Sequence, residues 1–206
     1  MSGVWVFGYG SLVSPASFGF TLGRELTPGV DFVEAEVGGY GRRWNYGVAQ
    51  RVGRSTGPDG SLQEWTMIAL GVVASADETV NGVIGWVEPH EIAALDLRER
   101  NYDRVDVSAT TTVHADIPID APIVTYVPRT IAMTHYRSAR DRGEAAVAKR
   151  YWDLVDAAFD DLGPGRRERY HATTPRPDVP IVEMRREESQ RRWDAVRERV
   201  ESTSDG

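Results

Sequence analysis

The chain has 206 residues, of which 41% are hydrophobic and 27% charged, a composition typical of a globular protein with one sizeable core. Its net charge of −7 argues against nucleic acid or an anionic membrane as the main partner, because both require a basic surface. The sequence lacks cysteine, which excludes disulfides, thiolate catalysis and zinc–thiolate sites. With neither a charged leader nor an apolar run of about 20 residues, we expect a cytoplasmic protein without a signal peptide.

The first predicted element is a buried strand over Val4–Gly8, which ends at two glycines that bracket a tyrosine. A strand followed by Gly8-x-Gly10 is also the beginning of a dinucleotide-binding fingerprint. However, Val13 stands where the third glycine is required, and Pro15 argues against the helix that should follow. We therefore exclude a Rossmann site.

The next part of the chain alternates between β-rich segments and turn signals. Gly38-Gly39 predicts a bulge or a sharp bend within the first of these segments. The polar stretch Arg51–Leu62 predicts a loop, and Asn81-Gly82 predicts a tight turn. The strands predicted between these signals are Gly29–Val48, Trp65–Ser75 and Val83–Val87.

The second half of the chain begins with a short predicted helix at Glu91–Glu99, preceded by a proline. Two further β-rich segments follow, and after Pro128 the pattern becomes helical, with an apolar stripe that continues to a glycine. These elements are the strands Val105–Ile117 and Ala121–Pro128 and the helix Glu144–Gly163.

This order of elements, many strands with most helices late, predicts an α+β fold: a mixed or antiparallel sheet, or a small barrel, with peripheral helices rather than a doubly wound parallel sheet. We expect one domain over residues 1–170. Residues 171–206 are expected to form a proline-containing arm and a charged C-terminal helix, in which Trp193 is one of few residues that can be buried.

Two motifs remain, "GYGSL" at Gly8–Leu12 and "LDLRERNY" at Leu95–Tyr102. Taken singly, a glycine-bracketed turn is usually only a turn, and a charged helix end is usually an ion-paired surface. Together they resemble the γ-glutamylcyclotransferase superfamily, including its ChaC-type branch. The resemblance covers about residues 4–165 and extends to the segments Val37–Asn45, Gly82–Asp96 and Val124–Pro128.

The resemblance implies a small mixed β-barrel with peripheral helices, which agrees with the order of elements, and an intramolecular reaction. The α-amine of a γ-glutamyl group attacks its own γ-carbonyl, which yields 5-oxoproline and a released amine or peptide. The implied partner is therefore a small γ-glutamyl molecule, and no metal or other cofactor is expected. Glutathione, a γ-glutamyl amino acid and a γ-glutamylamine all remain open as substrates, and the oligomeric state is open too.

Site roles follow from the matched motifs. Glu99 is the implied general acid/base, because the substrate ammonium must lose a proton before it can attack. The glycines of the first motif let backbone N–H groups approach an α-carboxylate closely. Arg42 and Arg43 are candidates for substrate carboxylates, whereas Arg98 and Arg100 are expected to face solvent or to pair structurally. The substrate-binding residues that the resemblance implies are Tyr9, Gly10, Ser11, Leu12, Tyr102, Tyr126 and Arg43.

Two alternatives stay open beside this enzyme. One is a non-catalytic module of the same fold that binds a small ligand or a partner. The other is a hydrolase that uses the same pocket on a γ-glutamyl amide. The presence of Glu99 favours an enzyme, and the product distinguishes cyclisation, which gives 5-oxoproline, from hydrolysis, which gives glutamate.

Overall fold

A computed structural model of the protein describes residues 3–57 and 59–184. The strands are β1 Val4–Gly8, β2 Phe32–Thr56, β3 Leu62–Val87, β4 Tyr102–Asp106, β5 Thr111–Val113, β6 Ile123–Pro128, β7 Ala145–Ala148 and β8 Ile181–Val182. The helices are α1 Pro15–Leu22, α2 Ile92–Arg98, α3 Thr130–Asp141, α4 Lys149–Asp161 and α5 Arg166–Thr173. No helix in this described part of the chain is long and apolar enough to cross a membrane.

The eight strands of the described residues belong to one mixed sheet. Its main path runs β4-β6-β1-β3-β2-β5, while β7 pairs with β3 and carries β8 on its other side. The pairs β1–β6, β3–β7 and β7–β8 are parallel and the remaining pairs are antiparallel. The α+β class and the mixed sheet with helices are thus confirmed. Within the described residues the path has two ends, β4 and β5, so the term barrel applies only loosely.

Strand β1 lies in the middle of the sheet, between β6 and β3. Trp5, Val6 and Phe7 are all buried, as expected for an apolar strand that is covered on both faces. The last pair of its ladder joins Gly8 to Val83. The chain therefore leaves the sheet from its interior, at a point that both neighbouring strands fix.

Strands β2 and β3 form one long hairpin, and the loop predicted at Arg51–Leu62 is wrong for most of its length. Strand β2 continues to Thr56, and β3 begins at Leu62. Cross-strand side chains explain why polar residues pair here: Arg54 bonds Glu64 at 2.7 Å, and the indole N–H of Trp65 donates to Ser55 Oγ at 2.8 Å.

Two glycine signals in this hairpin have different outcomes. The predicted bulge is confirmed, because the register shifts between Gly38 and Tyr40, with Gly39 at φ 82°. The turn predicted at Asn81-Gly82 is wrong, because Gly82 lies inside β3 opposite Ala35. A Cβ at Gly82 would lie 2.2 Å from the carbonyl oxygen of Gly8, so this glycine serves a close backbone approach.

Three further predictions change where tertiary pairing overrides local pattern. The single strand predicted at Val105–Ile117 is two strands, of which β4 pairs with β6 and β5 with β2. The helix predicted from Glu144 begins only at Lys149, because the preceding alanines and Val147 form the buried strand β7. Pro15 does not prevent a helix but begins α1, in the first-turn position that proline tolerates.

The boundary expected between residues 170 and 171 falls inside α5. The following arm packs onto the same sheet: Tyr170, Val179 and Met184 are buried, and β8 pairs with β7. The predicted charged helix, including Trp193, lies outside the described residues.

Gly82 provides a test of the contact between β3 and the end of β1. We expect Gly82→Ala to lower the free energy of unfolding by about 1–3 kcal/mol, because the new methyl group overlaps a backbone carbonyl. Gly38→Ala is the matched control, since its Cβ would meet nothing nearer than 3.8 Å. Urea unfolding of both variants measures the difference, and an equal loss in the two would contradict the proposed overlap.

Candidate active site

The two sequence motifs meet in one pocket. It is formed by the turn after β1, the end of α2, the first residue of β4, and residues of β3, β6 and α4. The enclosed space is about 40 Å³, enough for a few water molecules. The lining residues are Phe7, Gly8, Tyr9, Gly10, Ser11, Leu12, Leu70, Glu99, Tyr102, Tyr126 and Tyr151.

The Gly8–Leu12 turn folds back tightly on itself. A Cβ at Gly8 would lie 2.6 Å from the Cβ of Leu12, so the return requires glycine. Ser11–Val13 form a 3₁₀ turn in which the Val13 N–H bonds the Gly10 carbonyl at 2.9 Å. Within the described residues, the N–H groups of Gly10, Ser11 and Leu12 donate to no other backbone group. This turn therefore offers backbone donors to an anion.

Tyr151 of α4 lies over this turn, and the sequence analysis did not assign it to the site. A Cβ at Gly10 would lie 3.1 Å from the Tyr151 hydroxyl oxygen, so the glycine leaves room for the ring. The tyrosine also meets Trp44 edge to face, with centroids 6.0 Å apart. Its helical spacing indicated only a core position, because nothing in the local pattern shows that α4 packs against the turn.

Glu99 occupies the C-cap position of α2. Its N–H bonds the Leu95 carbonyl at 2.9 Å, and its own carbonyl accepts from the Tyr102 N–H at 2.8 Å. Helix end and strand start are thus joined within one tight turn, which fixes the direction of the side chain. That side chain is 12% exposed, and its Oε1 lies 3.0 Å from Arg98 Nε. The carboxylate therefore lies at the pocket and is ion-paired.

Arg98 does not face solvent. Its side chain is 6% exposed, and it donates to Ser11 Oγ at 2.9 Å and to the Ser17 carbonyl at 2.8 Å. It also bonds the hydroxyl groups of Ser17 and Thr21 on α1. Arg98 thus pairs structurally, which was one of the two expectations. The pairing is buried, and it connects Glu99 of the second motif with Ser11 of the first. Arg100, on the other side of Glu99, is exposed.

Three of the four tyrosines that line the pocket donate their hydroxyl protons to protein oxygens. The Tyr9 hydroxyl bonds the Tyr126 carbonyl at 2.6 Å, the Tyr102 hydroxyl bonds the Leu70 carbonyl at 3.1 Å, and the Tyr126 hydroxyl bonds Asp96 at 2.7 Å. Because each hydroxyl proton is already used, these oxygens can only accept from a ligand. The pocket wall thus favours a ligand that donates hydrogen bonds.

Burial raises the pKa of Tyr9 well above its ordinary value, and the charge of Glu99 raises this pKa further. Burial, followed by the neighbouring Tyr9 and Glu99, raises the pKa of Tyr102 in the same way. For Tyr126, burial and then the hydrogen bond to Asp96 raise the pKa. All three hydroxyls therefore stay protonated through the neutral range.

The two candidate arginines of β2 lie away from the lining. Arg43 forms an ion pair with Glu78 at 2.6 Å. Arg42 is fully buried, and its guanidinium stacks over Phe159 and Tyr170 at 4.8 and 5.0 Å from the ring centroids. Burial lowers the pKa of Arg42 to about 10. The structure thus brings together every predicted site residue except the two arginines, Arg42 and Arg43.

The raised tyrosine pKa values predict how stability depends on alkaline pH. In the unfolded chain these hydroxyls ionise near pH 10, whereas folded Tyr9 and Tyr102 keep their protons. The free energy of unfolding should therefore fall as pH rises above about 10, by up to about 1.4 kcal/mol per pH unit for each tyrosine. Urea unfolding between pH 8.5 and 11.5 measures this slope. Tyr9→Phe and Tyr102→Phe should each make it shallower, and slopes equal to that of the unsubstituted protein would contradict the assignment.

No family model matches the sequence, and no curated protein matches it. Solved structures do match. An uncharacterized protein from Homo sapiens has a TM-score of 0.55, with 15% identity over 94% of this chain and 99% of the human one. A γ-glutamyl cyclotransferase has a TM-score of 0.53, with the same identity and the same coverages. A yeast γ-glutamyl cyclotransferase specific to glutathione has a TM-score of 0.53, with 15% identity over 82% of this chain and 91% of that one.

At this level of identity the similarity establishes the fold. The chain has a γ-glutamyl cyclotransferase-like fold, which confirms the architecture that the two motifs implied. The ChaC-type branch stays a prediction.

Proposed function

We propose that the protein is a γ-glutamylcyclotransferase-like enzyme that converts a small γ-glutamyl compound to 5-oxoproline and a released amine or peptide. One observation carries the proposal: the Glu99 carboxylate and the Gly8–Leu12 turn line the same pocket. The two motifs are about 90 residues apart in sequence, and only the fold brings them together. We place this reaction in the cytoplasm, as the sequence suggested.

The two ends of a γ-glutamyl head match the two sides of this pocket. The head carries an ammonium and an α-carboxylate on the same carbon. Glu99 and the hydroxyl oxygens of Tyr9 and Tyr102 are acceptors suited to the ammonium. The N–H groups of the Gly8–Leu12 turn are donors suited to the carboxylate. This division requires no arginine in the pocket, and neither Arg42 nor Arg43 is assigned to it.

The chemistry needs one group that exchanges protons. Glu99 accepts a proton from the ammonium, and the freed amine attacks the γ-carbonyl carbon, which forms the ring C–N bond. Glu99 gives this proton to the leaving nitrogen as its bond to the γ-carbon breaks. It then takes the second proton from the ring nitrogen and passes it to the released amine, which leaves as an ammonium. Atoms and charge balance without water or a redox partner. The rest of the acceleration comes from holding a flexible chain in the conformation that closes the ring.

The pocket determines which part of the substrate is recognised. Its free space is small, about 40 Å³, and Tyr151 of α4 is one of its lining residues. Glutathione, γ-glutamyl amino acids and γ-glutamylamines share the head that the pocket fits and differ only in the leaving group.

Glu99→Gln tests the assignment of the base. The amide is nearly isosteric but cannot accept the ammonium proton, so we expect turnover to fall by about 10²–10⁴-fold. Folding should be kept. The assay incubates purified protein with a panel of γ-glutamyl compounds and measures 5-oxoproline. Asp103→Asn is the control, because this carboxylate is exposed and pairs only with Arg129 among the contacts described.

More than half of the original turnover in Glu99→Gln would end the assignment. The products of the unsubstituted protein decide between the functions. Glutamate in place of 5-oxoproline identifies a hydrolase, and binding without turnover identifies a non-catalytic module.

A further inference from the structure

We propose that Arg98 is a positioning residue that holds the Glu99 carboxylate at a fixed position relative to the Gly8–Leu12 turn. The proposal rests on the function proposed above and assigns a role to a residue that was expected from the sequence to face solvent or to pair structurally. The contacts of Arg98 reach both halves of the pocket: its guanidinium lies 3.0 Å from Glu99 Oε1 and 2.9 Å from Ser11 Oγ.

The surroundings of Arg98 make it a rigid support. Its guanidinium bonds the Ser17 carbonyl at 2.8 Å, the Ser17 hydroxyl at 3.1 Å and the Thr21 hydroxyl. These three acceptors belong to α1, which follows directly after the Gly8–Leu12 turn. Anchored on a helix at one end, the guanidinium fixes one carboxylate oxygen of Glu99 and one hydroxyl of the turn. A displacement of α1 relative to α2 would therefore change the position of Glu99 relative to the Gly8–Leu12 turn.

Geometry, rather than charge alone, is what Arg98 contributes. A guanidinium has five N–H donors in a planar fork and can serve several acceptors at fixed angles. A lysine carries the same charge on a single nitrogen and cannot reach Ser11 Oγ and Glu99 Oε1 in that geometry. The neighbour Arg100 carries the same charge next to Glu99 in sequence but is exposed. These two comparisons separate positioning from a general electrostatic effect.

The experiment compares Arg98→Ala, Arg98→Lys and Arg100→Ala with the unsubstituted protein, on the γ-glutamyl compound that this protein cyclises fastest. Misplacing a catalytic group by about 1 Å costs about 100-fold, so we expect a loss of that order in Arg98→Ala, mainly in kcat. Arg98→Lys should lose nearly as much, and Arg100→Ala should be unchanged. Millimolar guanidinium should restore part of the rate lost in Arg98→Ala, because it replaces the missing guanidinium group. It should restore none of the rate lost in Glu99→Gln, which still has Arg98.

Equal losses in Arg98→Ala and Arg100→Ala, or full activity in Arg98→Lys, would overturn the positioning role. If Arg98→Ala does not fold, Arg98→Lys and its crystal structure decide. The lysine variant should show the Glu99 carboxylate turned away from the Gly8–Leu12 turn, and an unmoved carboxylate would contradict the proposal. If the unsubstituted protein forms no 5-oxoproline, the proposed function has failed, and the same crystal structure still decides the role of Arg98.

Discussion

The chain leaves the sheet from its middle strand, and this constraint governs everything at the pocket. β1 is held on both sides, by β6 as far as the pair between Phe7 and Thr125 and by β3 as far as the pair between Gly8 and Val83. The backbone then folds back so closely that a Cβ at position 8 would overlap Leu12. On the neighbouring strand, a Cβ at position 82 would overlap the carbonyl oxygen of Gly8, so both positions require glycine. The turn that results is therefore as fixed in position as the centre of the sheet.

A second constraint brings the acid to this turn. Helix α2 ends at Arg98, and Glu99 caps it three residues before β4 begins at Tyr102. Strand β4 pairs with β6, which is the neighbour of β1, so Tyr102 and Glu99 arrive beside the end of β1. Arg98 then ties the two segments together through buried hydrogen bonds to the turn and to α1. The order of the strands thus places the two segments at one pocket. The buried guanidinium of Arg98 bonds both of them.

The sequence predicted the parts of this account that depend on local chemistry. Apolar runs identified β1 and parts of β3, alternation identified part of β2, and the bulge at Gly39 was visible as a glycine pair. The two motifs contain all of the predicted residues that line the pocket except Tyr126, which lies in the segment Val124–Pro128. The failures share one physical cause, which is long-range contact. Gly82 was predicted to form a turn because the Gly8 carbonyl, which it approaches closely, is far away in sequence. Ala145–Ala148 were predicted to be helical because only their pairing with β3 makes them a strand. Tyr151 and the burial of Arg98 depend on how helices pack.

The central claim is that this pocket holds a γ-glutamyl head between Glu99 and the Gly8–Leu12 turn. A crystal structure of the protein with 5-oxoproline tests it most directly. The account predicts the product carboxylate on the N–H groups of Gly10–Leu12 and the ring nitrogen within about 2.6–3.2 Å of a Glu99 oxygen. Product bound elsewhere on the molecule, or bound with its nitrogen turned away from Glu99, would contradict the account.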